Sequence, residues 1–134
     1  MAALNAYLLD SDALLVRPTL FLQQALRLQW ELYVCALSLG PLAGRLVRLR
    51  SEERHEAHDY LQRWVARLCD QYPNAILPFD ADCAVVCGHL IATTGRRGSA
   101  PQFAACALVN GLEIVTRYPE HYAGMGIGIY LLDP

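Results

Sequence analysis

Side chains that could bind a divalent cation follow two of the apolar runs in this sequence. Asp10 and Asp12 come directly after the first run, and Glu120 and His121 come shortly after a run near the end. Carboxylate oxygens are the hard ligands that Mg²⁺ requires, whereas a site that includes imidazole suits Mn²⁺ or Zn²⁺ better. Asp10 and Asp12 could therefore belong to a metal site, and a remodelled site of Asp10, Asp12 and His121 is a further alternative that would suit Mn²⁺ or Zn²⁺. In the alternative interpretation, the two aspartates cap a helix and His121 is an exposed loop residue.

Two further groups of metal-ligating residue types fit structural roles better. Cys83 and Cys87 lie on one face of a predicted helix, with His89 two residues further on, but the distant second pair of ligands that a structural zinc site usually has is missing. We interpret the cysteines as buried free thiols. His55 and His58 lie beside acids without forming the His-Glu-x-x-His motif, which favours a solvated helix face.

The basic residues are all arginines, eleven in number, and their planar side chains match the oxygens of a phosphate. Thirteen acids leave a net charge of −2, so binding of nucleic acid would need a local basic patch. Arg96 and Arg97 in the glycine-flanked loop 95–98 could contact RNA or a partner's acids, or could be ordinary loop residues. Arg117 follows a predicted strand and could bind substrate phosphate or form a structural ion pair.

The length and composition predict that residues 1–134 form a single domain with one core. Of 134 residues, 54% are hydrophobic and 18% are charged, which excludes an intrinsically disordered chain. No apolar run approaches the roughly 20 residues of a membrane span, and no basic segment precedes the first apolar stretch. We therefore expect a cytoplasmic protein without membrane association. Five cysteines, an odd number at irregular spacing, indicate reduced thiols.

The elements that must position these side chains follow from the apolar patterns. Strands are predicted at 7–10, 32–35, 75–78, 112–115 and 127–132. Helices are predicted at 13–16, 18–28, 38–50, 51–71, 80–91 and 101–109. Ser11-Asp12 should cap the first of them, an acidic stretch should open the fourth, and Asp80 should cap the fifth. Asn110-Gly111 should close the last. The alternation indicates a three-layer α/β fold on a mainly parallel sheet. Ligands of such sheets bind beyond the carboxyl ends of the strands, which here are Asp10 and the segments 37–41 and 116–118.

Six segments of the chain share the order and spacing of a known family. They are residues 8–14, 32–40, 76–80, 104–112, 114–117 and 126–134. Together they resemble the PIN-domain ribonucleases of the VapC type, the toxin half of bacterial toxin–antitoxin modules. The resemblance implies a three-layer α/β/α PIN-like domain with a mainly parallel five-stranded sheet. It also implies carboxylates that hold Mg²⁺ or Mn²⁺ while an RNA phosphodiester is cut.

Only one of the four metal-binding acids of that family is matched securely here. Asp10 corresponds to the first acid, and Asp12 adds a carboxylate where the family has asparagine. Pro41, Ala100 and His121 stand at the positions of the second, third and fourth acids. Because Mg²⁺ dehydrates reluctantly and needs several oxygen ligands, a lone carboxylate binds it very weakly. The resemblance therefore implies a degenerate active site.

The candidate site residues follow from this comparison. Asp10 and Asp12 are the candidate catalytic pair, and Ser11 and Arg117 are the candidate substrate contacts. Asp10 is the candidate metal ligand, which Asp12 and the fourth-acid neighbours Glu120 and His121 could join. Mg²⁺ or Mn²⁺ is the cofactor that the resemblance implies, although so few acids would bind it weakly or not at all.

The resulting hypothesis is a VapC-like protein that is impaired as a metal-dependent ribonuclease. The resemblance implies a homodimer that binds a small antitoxin. Without catalysis, binding of RNA, of the antitoxin or of a partner subunit would remain. The alternative, from a different class, is an active Mg²⁺- or Mn²⁺-dependent endoribonuclease that uses Asp10, Asp12 and Glu120 or His121.

Overall fold

Strands and helices alternate along the computed structural model, which describes residues 5–132. The strands are β1 (Ala6–Leu9), β2 (Glu31–Cys35), β3 (Ile76–Leu77), β4 (Glu113–Thr116) and β5 (Ile129–Leu131). The α-helices are α1 (Ser11–Val16), α2 (Thr19–Leu28), α3 (Leu39–Ser51), α4 (His55–Gln71), α5 (Ala81–Thr94) and α6 (Ser99–Asn110). Two 3₁₀ turns, Ala36–Ser38 and Pro119–Tyr122, follow β2 and β4.

The five strands form one parallel sheet in the order β3-β2-β1-β4-β5. β1 lies at its centre, where Leu8 pairs with Tyr33 of β2 and with Ile114 of β4. Successive side chains of a strand point to opposite faces, and both faces of this sheet are covered. Leu9 packs against helices α1 to α4, whereas Leu8 packs against α5 and α6. The predicted three-layer α/β fold is therefore confirmed, and the sheet is parallel throughout the described strands.

Helix ends follow the predicted cap chemistry in α5 and α6. The Asp80 carboxylate accepts a hydrogen bond from the Cys83 amide at 3.0 Å and begins α5, as predicted. Gly111 ends α6 in the left-handed conformation, with φ of 68°, also as predicted. α5 is three residues longer than expected because its left-handed stop is Gly95.

Two predicted helix starts are wrong. Asp10, rather than Ser11 or Asp12, caps α1, because its carboxylate accepts the hydrogen bond from the Ala13 amide. The acidic stretch after residue 51 does not open α4. Instead α3 continues through Ser51, whose hydroxyl donates to a carbonyl of the preceding turn, and Glu53 adopts a positive φ of 58° that separates the helices.

The two histidines at the start of α4 do not share the predicted solvated face. His55 is exposed, but His58 is buried between α3 and α4, 6% exposed. Its Nδ1 lies 3.0 Å from the Asp59 carboxylate, and its Nε2 lies 3.4 Å from the Arg50 guanidinium. The packing of α3 against α4 therefore buries His58, although its polar neighbours in the sequence predicted an exposed position.

The two cysteines of α5 have the buried environment that the sequence predicted. Cys83 and Cys87 are buried and free, and His89 is exposed, so these three do not share an environment. Within residues 5–132 no helix has the length and apolarity needed to cross a membrane. The last two residues of the 126–134 match lie outside the described part of the chain.

Candidate functional site

Side chains from three neighbouring strands meet at the carboxyl edge of the sheet. Asp10 follows β1, Ser38 ends the 3₁₀ turn after β2, and Thr116 is the last residue of β4. All three are buried polar residues, Ser38 and Thr116 almost completely. This is the edge at which a mainly parallel sheet was predicted to bind ligands.

Asp10 is 6% exposed, and both of its carboxylate oxygens have partners within the protein. Oδ1 accepts a hydrogen bond from the Ala13 amide at 2.8 Å, and Oδ2 accepts one from the Tyr122 hydroxyl at 3.1 Å. Burial raises the pKa of the Asp10 carboxyl above its ordinary value, and hydrogen bonds from Ala13, Thr116 and Tyr122 partly offset this effect. Burial also raises the pKa of Tyr122, which keeps its hydroxyl protonated as a donor.

Asp12 forms an ion pair with Arg117, which comes directly after β4. The guanidinium donates from Nε to Oδ2 at 2.7 Å and from Nη2 to Oδ1 at 2.9 Å, so both oxygens are engaged in a two-pronged contact. The two side chains are about one-third exposed, at 33% and 31%. Hydrogen bonding to Asp12 raises the pKa of Arg117 further. Arg117 is thus ion-paired with Asp12 in the structure, and its binding of substrate phosphate stays a prediction.

Ser11 joins the same region through a hydroxyl contact. Its Oγ lies 3.2 Å from the Oγ of Ser38, which links the first turn of α1 to the 3₁₀ turn after β2. Ser11 itself is half-buried.

The positions predicted to have lost acids hold no carboxylate and lie on separate elements. Pro41 is exposed in the first turn of α3, and Ala100 is half-buried in the first turn of α6. His121 is exposed in the 3₁₀ turn after β4, where its ring stacks on Tyr118 with centroids 5.3 Å apart. Glu120 is exposed in the same turn. Proline is tolerated at residue 41 because an amide in the first helical turn has no acceptor within the helix.

No three side chains of His, Cys, Asp or Glu are grouped so that they could hold a metal ion, within the range 5–132. Asp10 and Asp12 are therefore not joined by Glu120 or His121 in such a group. Asp10 and Asp12 do lie at this edge, and each has a partner within the protein.

Sequence reasoning missed Tyr122 as a member of this site. Its side chain is 5% exposed and reaches Asp10 across 112 positions of the sequence. The residue lies in a stretch of mixed polarity, and no spacing rule distinguishes it from the chain's exposed tyrosines. Its hydroxyl reaches the carboxylate because the 3₁₀ turn follows β4, and β4 lies next to β1 in the sheet.

Known proteins resemble this chain in three dimensions rather than in sequence. No family model matches the sequence, and no curated protein matches it. VapBC2 of Rickettsia felis, bound to a promoter DNA fragment, superposes with a TM-score of 0.73 at 14% identity, over 96% of this chain and 99% of that one. FitAcB of Neisseria gonorrhoeae gives 0.68 at 21% identity, over 92% and 96%. A toxin–antitoxin complex of Klebsiella pneumoniae gives 0.63 at 19% identity, over 95% and 98%.

The fold is PIN-like. The order of the strands, the helices on both faces and the superposition with VapBC and FitAB structures over more than nine-tenths of each chain agree on this point. At these sequence identities the likeness concerns the fold. What the PIN-like domain does must be argued from its own side chains.

Proposed function

We propose that this PIN-like protein is the toxin-like member of a toxin–antitoxin pair, impaired as a metal-dependent ribonuclease and acting by binding. One observation carries the proposal: the candidate acids Asp10 and Asp12 are each engaged by the protein itself. Asp10 accepts hydrogen bonds on both oxygens, and Asp12 is held by Arg117.

A divalent metal ion does not fit these residues as they are arranged. Mg²⁺ needs near-octahedral oxygen coordination and usually binds through carboxylates together with substrate phosphate. Here an ion would share Asp10 with the Tyr122 hydroxyl and would meet the guanidinium of Arg117 in front of Asp12. Within residues 5–132 no third His, Cys, Asp or Glu side chain joins these two acids. The raised pKa of Asp10 points the same way, because the buried carboxyl favours its neutral form more than a solvated one does.

The partners belong to the same proposal. Similar solved structures are toxin–antitoxin complexes, which supports a small antitoxin-like protein as the partner. A hollow of about 430 Å³ beside Arg117 supports it further, because Leu20 and Leu131 line it and are 79% and 56% exposed. Exposed apolar residues around a concave surface are typical of protein-interaction sites. A homodimer, binding of RNA and location in the cytoplasm are further parts of this proposal.

An RNA-cleavage assay with metal titration tests the impaired site. The purified protein is incubated with a structured RNA in millimolar Mn²⁺ or Mg²⁺, beside Asp10→Asn as the control. We expect no cleavage above the control and no metal-dependent rise in melting temperature. An ion that binds the folded protein, at a free concentration of about 100 times its Kd, would stabilise it by about 2.7 kcal/mol. A thermal melt detects a change of this size readily.

Cleavage that Asp10→Asn abolishes would overturn the proposal in favour of the active nuclease. Glu120 and His121 would then have to approach Asp10 on binding of RNA or metal. Glu120→Gln and His121→Ala would identify which of them takes part, since each would lower the metal-dependent rate.

A further inference from the structure

A second hollow lies between α2 and α4, and neither Asp10 nor Asp12 takes part in its lining. Its volume is about 400 Å³, within the range of small-molecule sites, about 300 to 1,000 Å³. Both helices and the residue after α4 supply an apolar wall, which consists of Leu22, Leu26, Trp64, Leu68 and Tyr72. A concave apolar surface of this kind is typical of a ligand site when a few polar groups accompany it.

The apolar wall presents surface that a ligand would remove from water. Leu26 is 53% exposed, and Leu22 and Tyr72 are half-buried. The indole nitrogen of Trp64 donates to the Leu14 carbonyl at 2.8 Å, so the one polar atom of this ring is already engaged. Because burial of apolar surface is the main favourable contribution to binding, the wall favours a ligand with an apolar body.

One polar group in the lining of this hollow lacks a partner. The Nη1 of Arg17 donates to the Tyr60 hydroxyl, and the guanidinium lies over the Tyr60 ring at 5.0 Å. The Nε of Arg17, in contrast, is buried and has no hydrogen-bond acceptor within residues 5–132. A buried donor without an acceptor is destabilising, and an acceptor on a ligand would relieve that penalty.

The charges around the hollow match a ligand with a single carboxylate. The Nε of Arg17 belongs to the edge of the guanidinium that binds carboxylates in two prongs, and Arg117 uses the same edge to hold both oxygens of Asp12. Arg67, exposed on α4, adds a second positive charge to the lining. Asp70, also exposed in the lining, disfavours a second anionic group.

We propose that the hollow between α2 and α4 binds a small monocarboxylic acid, with its carboxylate on Arg17 and its aliphatic or aromatic body on the apolar wall. A neutral apolar ligand would not bring the charged acceptor that this guanidinium favours, and a doubly charged phosphate would be repelled by Asp70. The inference goes beyond the toxin-like role proposed above. It involves neither RNA nor the candidate acids at the strand edge, so either proposal can fail alone.

Titration of the isotope-labelled protein with hydrocinnamate, followed by two-dimensional NMR, tests the site. The matched uncharged probe is hydrocinnamyl alcohol, which has the same apolar body. We expect hydrocinnamate to shift the indole resonance of Trp64 and the amide resonances of Leu22 and Leu26. Its Kd should be about tenfold lower than that of the alcohol, since hydrogen bonds between charged groups are stronger than those of a neutral hydroxyl.

Variants separate the charge of Arg17 from the apolar wall. Arg17→Met should weaken the binding of hydrocinnamate about tenfold and that of the alcohol less than about twofold. The matched control is Arg27→Met, which removes the same charge from an exposed position of α2 outside the hollow and should change neither Kd more than about twofold. Leu26→Ser should weaken both probes about threefold. Arg67→Met, which should weaken only hydrocinnamate, about threefold, serves if Arg17→Met does not fold.

Three results would overturn the proposal: no shift of these resonances, equal affinity for the acid and the alcohol, or equal losses in Arg17→Met and Arg27→Met. A short apolar peptide with a blocked amine and a free terminal carboxylate tests the other occupant, a polypeptide partner. If the peptide shifts the same resonances and hydrocinnamate does not, the hollow is a polypeptide site and the proposal is wrong.

Discussion

Asp10 shows how the role of a single residue depends on its surroundings. A carboxylate after a strand could bind a metal or cap a helix, and the sequence admits both. In the fold, Asp10 is the cap of α1 and also the acceptor for a buried tyrosine. The same carboxylate thus joins α1 to the turn after β4, and this structural role does not need catalysis.

Replacing Asp10 by alanine should destabilise the fold, whereas asparagine should be tolerated. Asp10→Ala leaves the Ala13 amide and the Tyr122 hydroxyl without an acceptor, and we expect a loss of about 1–3 kcal/mol. Asp10→Asn keeps an acceptor for the amide, so its loss should be below about 1 kcal/mol. Urea unfolding near neutral pH measures both, and an Asp10→Ala variant as stable as the original chain would contradict the structural role.

The stability difference between the original chain and Asp10→Asn should also depend on pH. Because burial raises the pKa of Asp10 in the folded state, the native protein binds this proton more tightly than the unfolded chain does. The contribution of Asp10 to stability is therefore greatest below its unfolded pKa of about 4 and falls as the pH rises through the folded pKa. Unfolding free energies measured across this window should favour the original chain increasingly towards acid; an opposite trend would contradict the raised pKa.

At the scale of elements, the residue that ends α6 determines where the chain turns into β4. Gly111 ends α6 in the left-handed region, and the amides of residues 111 and 112 donate to carbonyls of the last helical turn. The chain thereby turns straight into β4, which carries Thr116 and leads to Arg117 and Tyr122. This helix stop therefore positions the site from a distance.

Gly111→Ala should destabilise the protein by about 1 kcal/mol, because a Cβ is strained at a φ of 68°. Gly88→Ala is the matched control in the interior of α5, where an added Cβ would meet nothing within 4 Å. There alanine should stabilise the helix by up to about 1 kcal/mol. Thermal melts of both variants check the prediction, and the same sign for the two changes would contradict it.

At the scale of the whole molecule, stability depends on the central strand. β1 is paired on both edges and covered on both faces, so its side chains belong to the two hydrophobic clusters that form the core. Leu8 and Leu9 have no exposed surface, and the strand also leads into Asp10. The strand therefore contributes both to the core and to the position of Asp10.

Leu8→Ala should cost about 2–5 kcal/mol, since it leaves a cavity between the sheet and the α5–α6 layer. Ile114→Val, on the neighbouring strand, should cost about 0.5–1.5 kcal/mol and serves if the first variant does not fold. Leu20→Ala is the control, because its side chain is 79% exposed and should change stability by less than about 0.5 kcal/mol. Urea midpoints at an unchanged slope measure these costs; equal effects at Leu8 and Leu20 would contradict the assigned core.

Local patterns in the sequence were sufficient for most of the scaffold. Apolar periodicity predicted five strands and six helices, because helix and strand bury side chains with different spacing. Asp80 and Gly111 were predicted as helix ends since capping depends on neighbouring residues alone. Prediction failed at Ser51 and His58, where the packing of α3 against α4 overrides the local preference of a polar stretch.

The sequence by itself determined which acids the strand edge could have, and where the fold would bring strand ends together. Only the tertiary structure decided what those acids do. Asp12 meets Arg117 across 105 positions and Asp10 meets Tyr122 across 112, pairings that arise because β1 and β4 are neighbours in the sheet. Hydrogen bonds and burial set the charge state of a carboxylate, and both depend on residues remote in the chain that no local spacing reveals.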